Sequence, residues 1–151
     1  MPLQSFTIRD KDNRKQQIKI IFEDDQLLVI NKPANLLVIP DRWNKSLPNL
    51  HDLLESKFRK NNNLQKQSLW VVHRIDADTS GLVLFAKSAE MHKRLNQLFE
   101  SQKIEKTYLA IVSGYPTYRE GTIDLPIAQH PVRKKFMRID EKGKPSLTNY
   151  K

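Results

Sequence analysis

The stretch His73-Arg74-Ile75-Asp76-Ala77-Asp78-Thr79-Ser80-Gly81 lies between two apolar runs, Leu69-Trp70-Val71-Val72 and Leu82-Val83-Leu84-Phe85-Ala86. Runs this short, rich in β-branched and aromatic residues and bounded by turn formers, predict strands rather than helices. Thr79, Ser80 and Gly81 are expected to make the turn between them, since small hydroxyls bond the local backbone and glycine admits positive φ. Side chains alternate along a strand, so Arg74, Asp76 and, if the strand persists, Asp78 share one face while His73 and Ile75 take the other. His73 is expected to pack beneath the strand, with a hydrogen bond holding the turn. A carboxylate and a guanidinium at a strand end beside a reachable loop form a candidate site. On these residues alone the pair also reads as a structural ion pair.

Working outward toward the N-terminus, Ile18, Ile20 and Phe22 precede Asp24-Asp25 and the run Leu27-Leu28-Val29-Ile30, which predicts an antiparallel hairpin closed by Lys32-Pro33. Residues 1–17 are polar and are expected to be a flexible lead, with 18–151 as a single folded domain. In the loop 40–49, Trp43 is expected to pack against the domain, as large aromatics usually do, the alternative for Arg42 and Trp43 being contact with a nucleotide. Leu50, Leu53, Leu54 and Phe58 then recur at helical spacing, with Pro48 suited to the first turn. A second helix is expected after Ser88, lined by Met91, Leu95, Leu98 and Phe99, with His92 on its polar side.

Toward the C-terminus, residues 104–113 alternate and predict a strand carrying Tyr108. Residues 115–127 predict a hairpin turning at Glu120-Gly121, and 132–138 are expected to pair with 146–151 through the turn 140–143. Runs of strands with two helices predict an α+β class, with a largely antiparallel or mixed sheet flanked by those helices.

The 151 residues hold 26 basic and 17 acidic side chains, a net charge of +9, which suits a polyanionic partner such as nucleic acid. Residues 131–151 carry seven Lys and Arg against two Asp and Glu, +5 of that excess. The absence of cysteine excludes a disulfide frame and a thiolate metal site. His51, His92 and His130 have no ligand partners at usable spacing, so no metal is assigned. No run approaches the ~18 apolar residues of a membrane span. The expectation is a cytoplasmic protein.

The stretch from His73 to Gly81 closely resembles the signature HRLDxxTSG of the RluA family of pseudouridine synthases, with Ile75 in place of leucine. Three further segments match in order. Phe22-Glu23-Asp24-Asp25 and Leu28-Val29-Ile30-Asn31-Lys32-Pro33-Ala34 resemble the opening pair "EDD…LLVVNKPAG", with Asn35 where glycine is usual, and Ile104-Glu105-Lys106-Thr107-Tyr108-Leu109-Ala110 resembles "EKTYLA".

The resemblance implies a pseudouridine synthase fold and an enzyme that isomerises uridine in structured ribosomal or transfer RNA without a cofactor. It makes Asp76 the essential carboxylate. Arg74 takes the space of the flipped-out uridine, and Tyr108 stacks on the uracil. Asp78 occupies a position that varies in the family. Arg133, Lys134, Lys135 and Arg138 are expected to contact phosphates, which sets affinity and position without reading sequence. In the family a third motif, "GRTHQIR", supplies an arginine to the carboxylate, and no such stretch occurs before Lys151. The implied complete enzyme is a monomer, whereas this chain alone is expected to be weakly active or inactive and to dimerise through an uncovered sheet edge. The rival reading is a non-catalytic RNA-binding protein that keeps the scaffold.

Overall fold

A computed structural model describes residues 5–10, 12–61, 68–133 and 136–151, without the side chains of 59–61. The chain divides into two compact units, 1–106 and 107–151.

The first unit is built on a five-stranded antiparallel sheet. Its strands are β1 (Ser5–Arg9), β2 (Lys15–Glu23), β3 (Leu27–Lys32), β4 (Trp70–Val71) and β5 (Gly81–Ala86), in the order β1-β2-β3-β5-β4. The predicted β2–β3 hairpin is present, with Asp24 accepting from the Gln26 and Leu27 backbone N–H groups at its turn. A register shift between Ile20 and Phe22 breaks the alternation there and leaves Ile21 and Phe22 exposed.

The lead expected to be flexible contributes β1 and the start of β2 instead. Phe6 and Ile8 are buried, and they join Ile18, Leu28, Ile30, Val83 and Phe85 in the core. Two buried apolar side chains at i and i+2 suffice to seat an edge strand whose other face is polar.

Helix α1 (Leu50–Asn61) closes that core with Leu50 and Leu54, as its periodicity predicts. It starts two residues after Pro48. The capping is done by Asn49, whose side chain accepts from the Asp52 N–H at 3.0 Å and donates to the Asp52 carboxylate at 2.9 Å. Helix α2 (Ala89–Glu100) is capped by Ser88 as expected and buries Leu95. His92 is half-buried rather than turned to solvent. Its Nε2–H donates to the Val71 carbonyl and its ring lies against Trp70, which fixes the helix to β4.

The second unit is an irregular antiparallel ribbon. In it β6 (Gly121–Asp124) pairs with β9 (Leu147–Tyr150), and β7 (Ile127–Gln129) pairs with β8 (Met137–Ile139). Among the described residues the expected pairing of 132–138 with 146–151 does not form, nor does a hairpin turning at Glu120-Gly121. Pro126 and the turn 140–143 interrupt the ladder instead, and Gly143 packs so closely that an added Cβ would lie 2.6 Å from the Ile127 backbone.

Candidate active site

The stretch 72–80 is a loop joining β4 to β5, not the extension of a strand. Only Trp70 and Val71 pair with β5, and the chain turns at Ala77-Asp78, where the Asp76 carbonyl accepts from the Thr79 N–H at 3.2 Å. The alternation survives without the ladder. Arg74, Asp76 and Asp78 are exposed, whereas His73, Ile75 and Ala77 are partly buried. An extended backbone keeps its two-residue periodicity whether or not a neighbour pairs with it.

The inward side chains fix the loop. Ile75 packs against the hydrophobic core. The His73 ring stacks on Phe99 with centroids 4.9 Å apart, and its Nε2 accepts from the Leu84 N–H at 3.1 Å. This acceptor role requires neutral Nε2. Burial, helped by the Lys106 charge, lowers the His73 pKa and favours that form.

A second anchor was not legible as such in the sequence. The Lys32 side chain, fully buried at the end of β3, donates from Nζ to the carbonyls of Leu36 (2.7 Å), Pro33 (2.9 Å) and Ala77 (3.0 Å). The Ala77 carbonyl also accepts from the Leu36 N–H at 3.2 Å. The residue that follows Asp76 is therefore clamped from beneath by a side chain and a backbone donor. Burial lowers the Lys32 pKa to about 8, opposed by the charges of Asp78 and Asp76.

Asn35, adjacent to this clamp, has φ +66°. Asparagine tolerates the left-handed region, and its Nδ2 donates to the carboxylates of Asp12 (2.8 Å) and Asp10 (3.2 Å). Asp10 is buried and also accepts from Gln16 and from the backbone of Arg14 and Asp12. The Gln16 bond contributes most, and the set holds its carboxyl pKa at about 2. Hydrogen bonds on adjacent residues, from the Asn35 side chain to Asp10 and Asp12 and from the Leu36 N–H to Ala77, thus tie the β1–β2 turn to the Asp76 loop through the Asn35–Leu36 peptide.

Arg74 and Asp76 are not ion-paired with each other. The arrangement therefore presents an exposed carboxylate and an exposed guanidinium on a loop held rigid from its inner side. This is an arrangement suited to attack on, or proton transfer with, a bound ring.

A family model described as RNA pseudouridylate synthase matches residues 26–151. The chain belongs to the RNA pseudouridylate synthase family. It is 35% identical over 147 residues to the ribosomal large subunit pseudouridine synthase D of Nitrosomonas europaea, covering 96% of this chain and 42% of that protein. To the dual-specificity RNA pseudouridine synthase RluA of Vibrio vulnificus it is 40% identical over 133 residues, covering 87% and 50%. Among solved structures, human RNA Pseudouridylate Synthase Domain Containing 4 superposes with a TM-score of 0.68 at 25% identity, covering 86% of this chain and 51% of that one. The chain spans about half the length of these relatives or less.

The remaining residues singled out for this pseudouridylate synthase chain fall in the second unit. Tyr108 is exposed in a segment, 104–113, that forms no strand. Arg133 is exposed, its backbone N–H donating to His130 Nδ1 at 3.0 Å. Arg138, on β8, is ion-paired with Asp140. Lys134 and Lys135 lie outside the described residues. No helix among the described residues is long and apolar enough to cross a membrane.

Proposed function

We propose that this chain carries the reacting carboxylate of an RNA pseudouridine synthase, with Asp76 essential for isomerising uridine to pseudouridine in ribosomal or transfer RNA of the cytoplasm. The reaction breaks the bond between uracil nitrogen and the ribose anomeric carbon, turns the base, and joins the same carbon to a ring carbon. One ring proton leaves and the ring nitrogen regains one, so atoms and electrons balance without a cofactor. Asp76 supplies the nucleophile or proton acceptor, Arg74 fills the place vacated by the flipped base, and Tyr108 stacks on the uracil. The observation that carries the reading is the exposed Asp76 carboxylate, free of an ion pair with Arg74, on a turn clamped by Lys32.

Arg133, Lys134, Lys135 and Arg138 are proposed to meet RNA phosphates, with Arg138 exchanging Asp140 for phosphate. Three such contacts give a slope of about −2 to −3 in log affinity against log salt. Replacing the four with Gln is expected to flatten that slope, and an unchanged slope contradicts the assignment.

The catalytic reading is tested by tritium release from uridine-labelled RNA. Asp76→Asn is expected to leave the circular dichroism and RNA affinity unchanged while lowering turnover by about 10³-fold or more. RNA binding without any pseudouridine, by this chain and equally by a version extended with a family-like C-terminal segment, would favour the binding-only scaffold.

A further inference from the structure

Trp43 is 84% exposed, against the expectation that it packs the loop onto the domain. An indole left in water is unusual for a residue of this size. The exposure does not come from a slack loop. Asp41 Oδ1 accepts from the backbone N–H groups of Trp43 and Asn44, both at 2.8 Å, and Asn44 Oδ1 accepts from the Ser46 N–H and hydroxyl at 3.1 and 2.6 Å. Two successive side-chain-closed turns therefore set the backbone on either side of the ring. The base of the loop is fixed too, through Leu50 N–H to the Leu37 carbonyl (2.8 Å) and His51 N–H to the Val38 carbonyl (3.0 Å).

The neighbours give the ring its chemistry. Arg42 and Lys45 flank Trp43 and are both exposed, while the Asp41 carboxylate is engaged in the turn. An exposed aromatic side chain on a fixed backbone, with exposed cations one and two residues away in sequence, matches a nucleobase with its adjoining phosphates. Stacking is sequence-tolerant because every base has a π-face, and the cations address the backbone. The loop also lies within reach of the Asp76 turn. Leu36, whose N–H bonds the Ala77 carbonyl, precedes Trp43 by seven residues, at most about 25 Å of extended chain.

We propose that Trp43 is a stacking platform for an unpaired nucleobase flanking the target uridine, with Arg42 and Lys45 on the adjoining phosphates. This deepens the RNA reading above and rests on it. The platform holds the single-stranded segment beside the site and does not touch the reacting atoms.

The test is binding of a single-stranded oligouridylate to this chain. Trp43→Ala is expected to weaken binding about 5- to 140-fold, the effect of losing one base stack, and Trp43→Phe to retain most of the affinity. Because stacking releases no counterions, the salt slope of Trp43→Ala should equal that of the parent. Arg42→Gln with Lys45→Gln should instead flatten the slope by about 1 to 1.4. With Trp70→Phe as background, Trp43 is the sole tryptophan of the two, and its emission should be quenched on addition of the oligonucleotide. A parent that binds while Trp43→Ala binds equally well, or whose Trp43 emission ignores the bound RNA, overturns the platform and leaves the synthase reading standing. A parent that does not bind oligouridylate even at low salt also overturns the platform, while the synthase reading is decided separately by tritium release from structured RNA.

Discussion

The two units of the chain respond differently to the same kind of sequence. In residues 1–106 alternating apolar positions are buried: Ile18, Leu28, Ile30, Val83 and Phe85 are inaccessible to water. In residues 107–151 the alternation is equally visible, yet Ile123, Ile127, Met137, Ile139 and Leu147 are all exposed. Among the described residues, every member of the hydrophobic core lies between Phe6 and Phe85. A strand's register is strongly specified only where one of its faces is buried. The predicted β2–β3 hairpin therefore formed, while the predicted pairings of the C-terminal segments gave way to others.

This contrast can be broken by substitution. Phe85→Ala should destabilise the first unit by about 3–5 kcal/mol, since it opens a cavity in a closed core. Ile139→Ala should stay within about 0.5 kcal/mol. Urea unfolding of each variant measures both, and equal losses would show that the ribbon is as well packed as the sheet.

A smaller effect is expected from the buried clamp. Lys32→Met leaves the carbonyls that Nζ joins without that donor and should cost about 1–3 kcal/mol. Amide exchange should rise at Leu36 and Thr79, the two N–H groups bonded at the Asp76 turn. The pH dependence sharpens the point. Burial lowers the folded-state pKa of Lys32 from 10.5 to about 8, so the unfolded chain binds more protons between those values. Parent stability therefore gains from this residue as pH rises from about 8 to 10.5, and Lys32→Met should lack the gain.

The smallest of these effects belongs to His73. Its pKa is lowered by burial first and by Lys106 second, so below its ordinary value of 6.5 the unfolded chain takes up the proton more readily. Stability should be full above pH 6.5 and decline as pH falls through the folded-state value. His73→Gln, which retains an acceptor for the Leu84 N–H, should show a flatter profile in the same unfolding series.

Much of the site was readable because its logic is local. The outward set of Arg74, Asp76 and Asp78 follows from two-residue periodicity, and it held even though the strand stopped at Val71. The clamp was not readable in this way. A lysine is among the residues least expected to be buried, and the acceptors of Lys32 lie one, four and forty-five positions away. β1 was missed because Phe6 and Ile8 are two apolar positions in a polar segment, too few to stand out from a mobile lead. Trp43 failed in the opposite direction: the general preference of aromatics for burial outweighed the Asp41 and Asn44 turns that hold it outward.

The central claim is that Asp76 performs the isomerisation, and the most direct measurement is a map of pseudouridines in the RNA of the cell that carries this gene. Deletion should remove pseudouridine at one or more specific uridines, the native gene should restore it, and a gene altered only by Asp76→Asn should not, although its product accumulates to the same level. Restoration by the Asp76→Asn gene, or a map unchanged by deletion, would contradict the account.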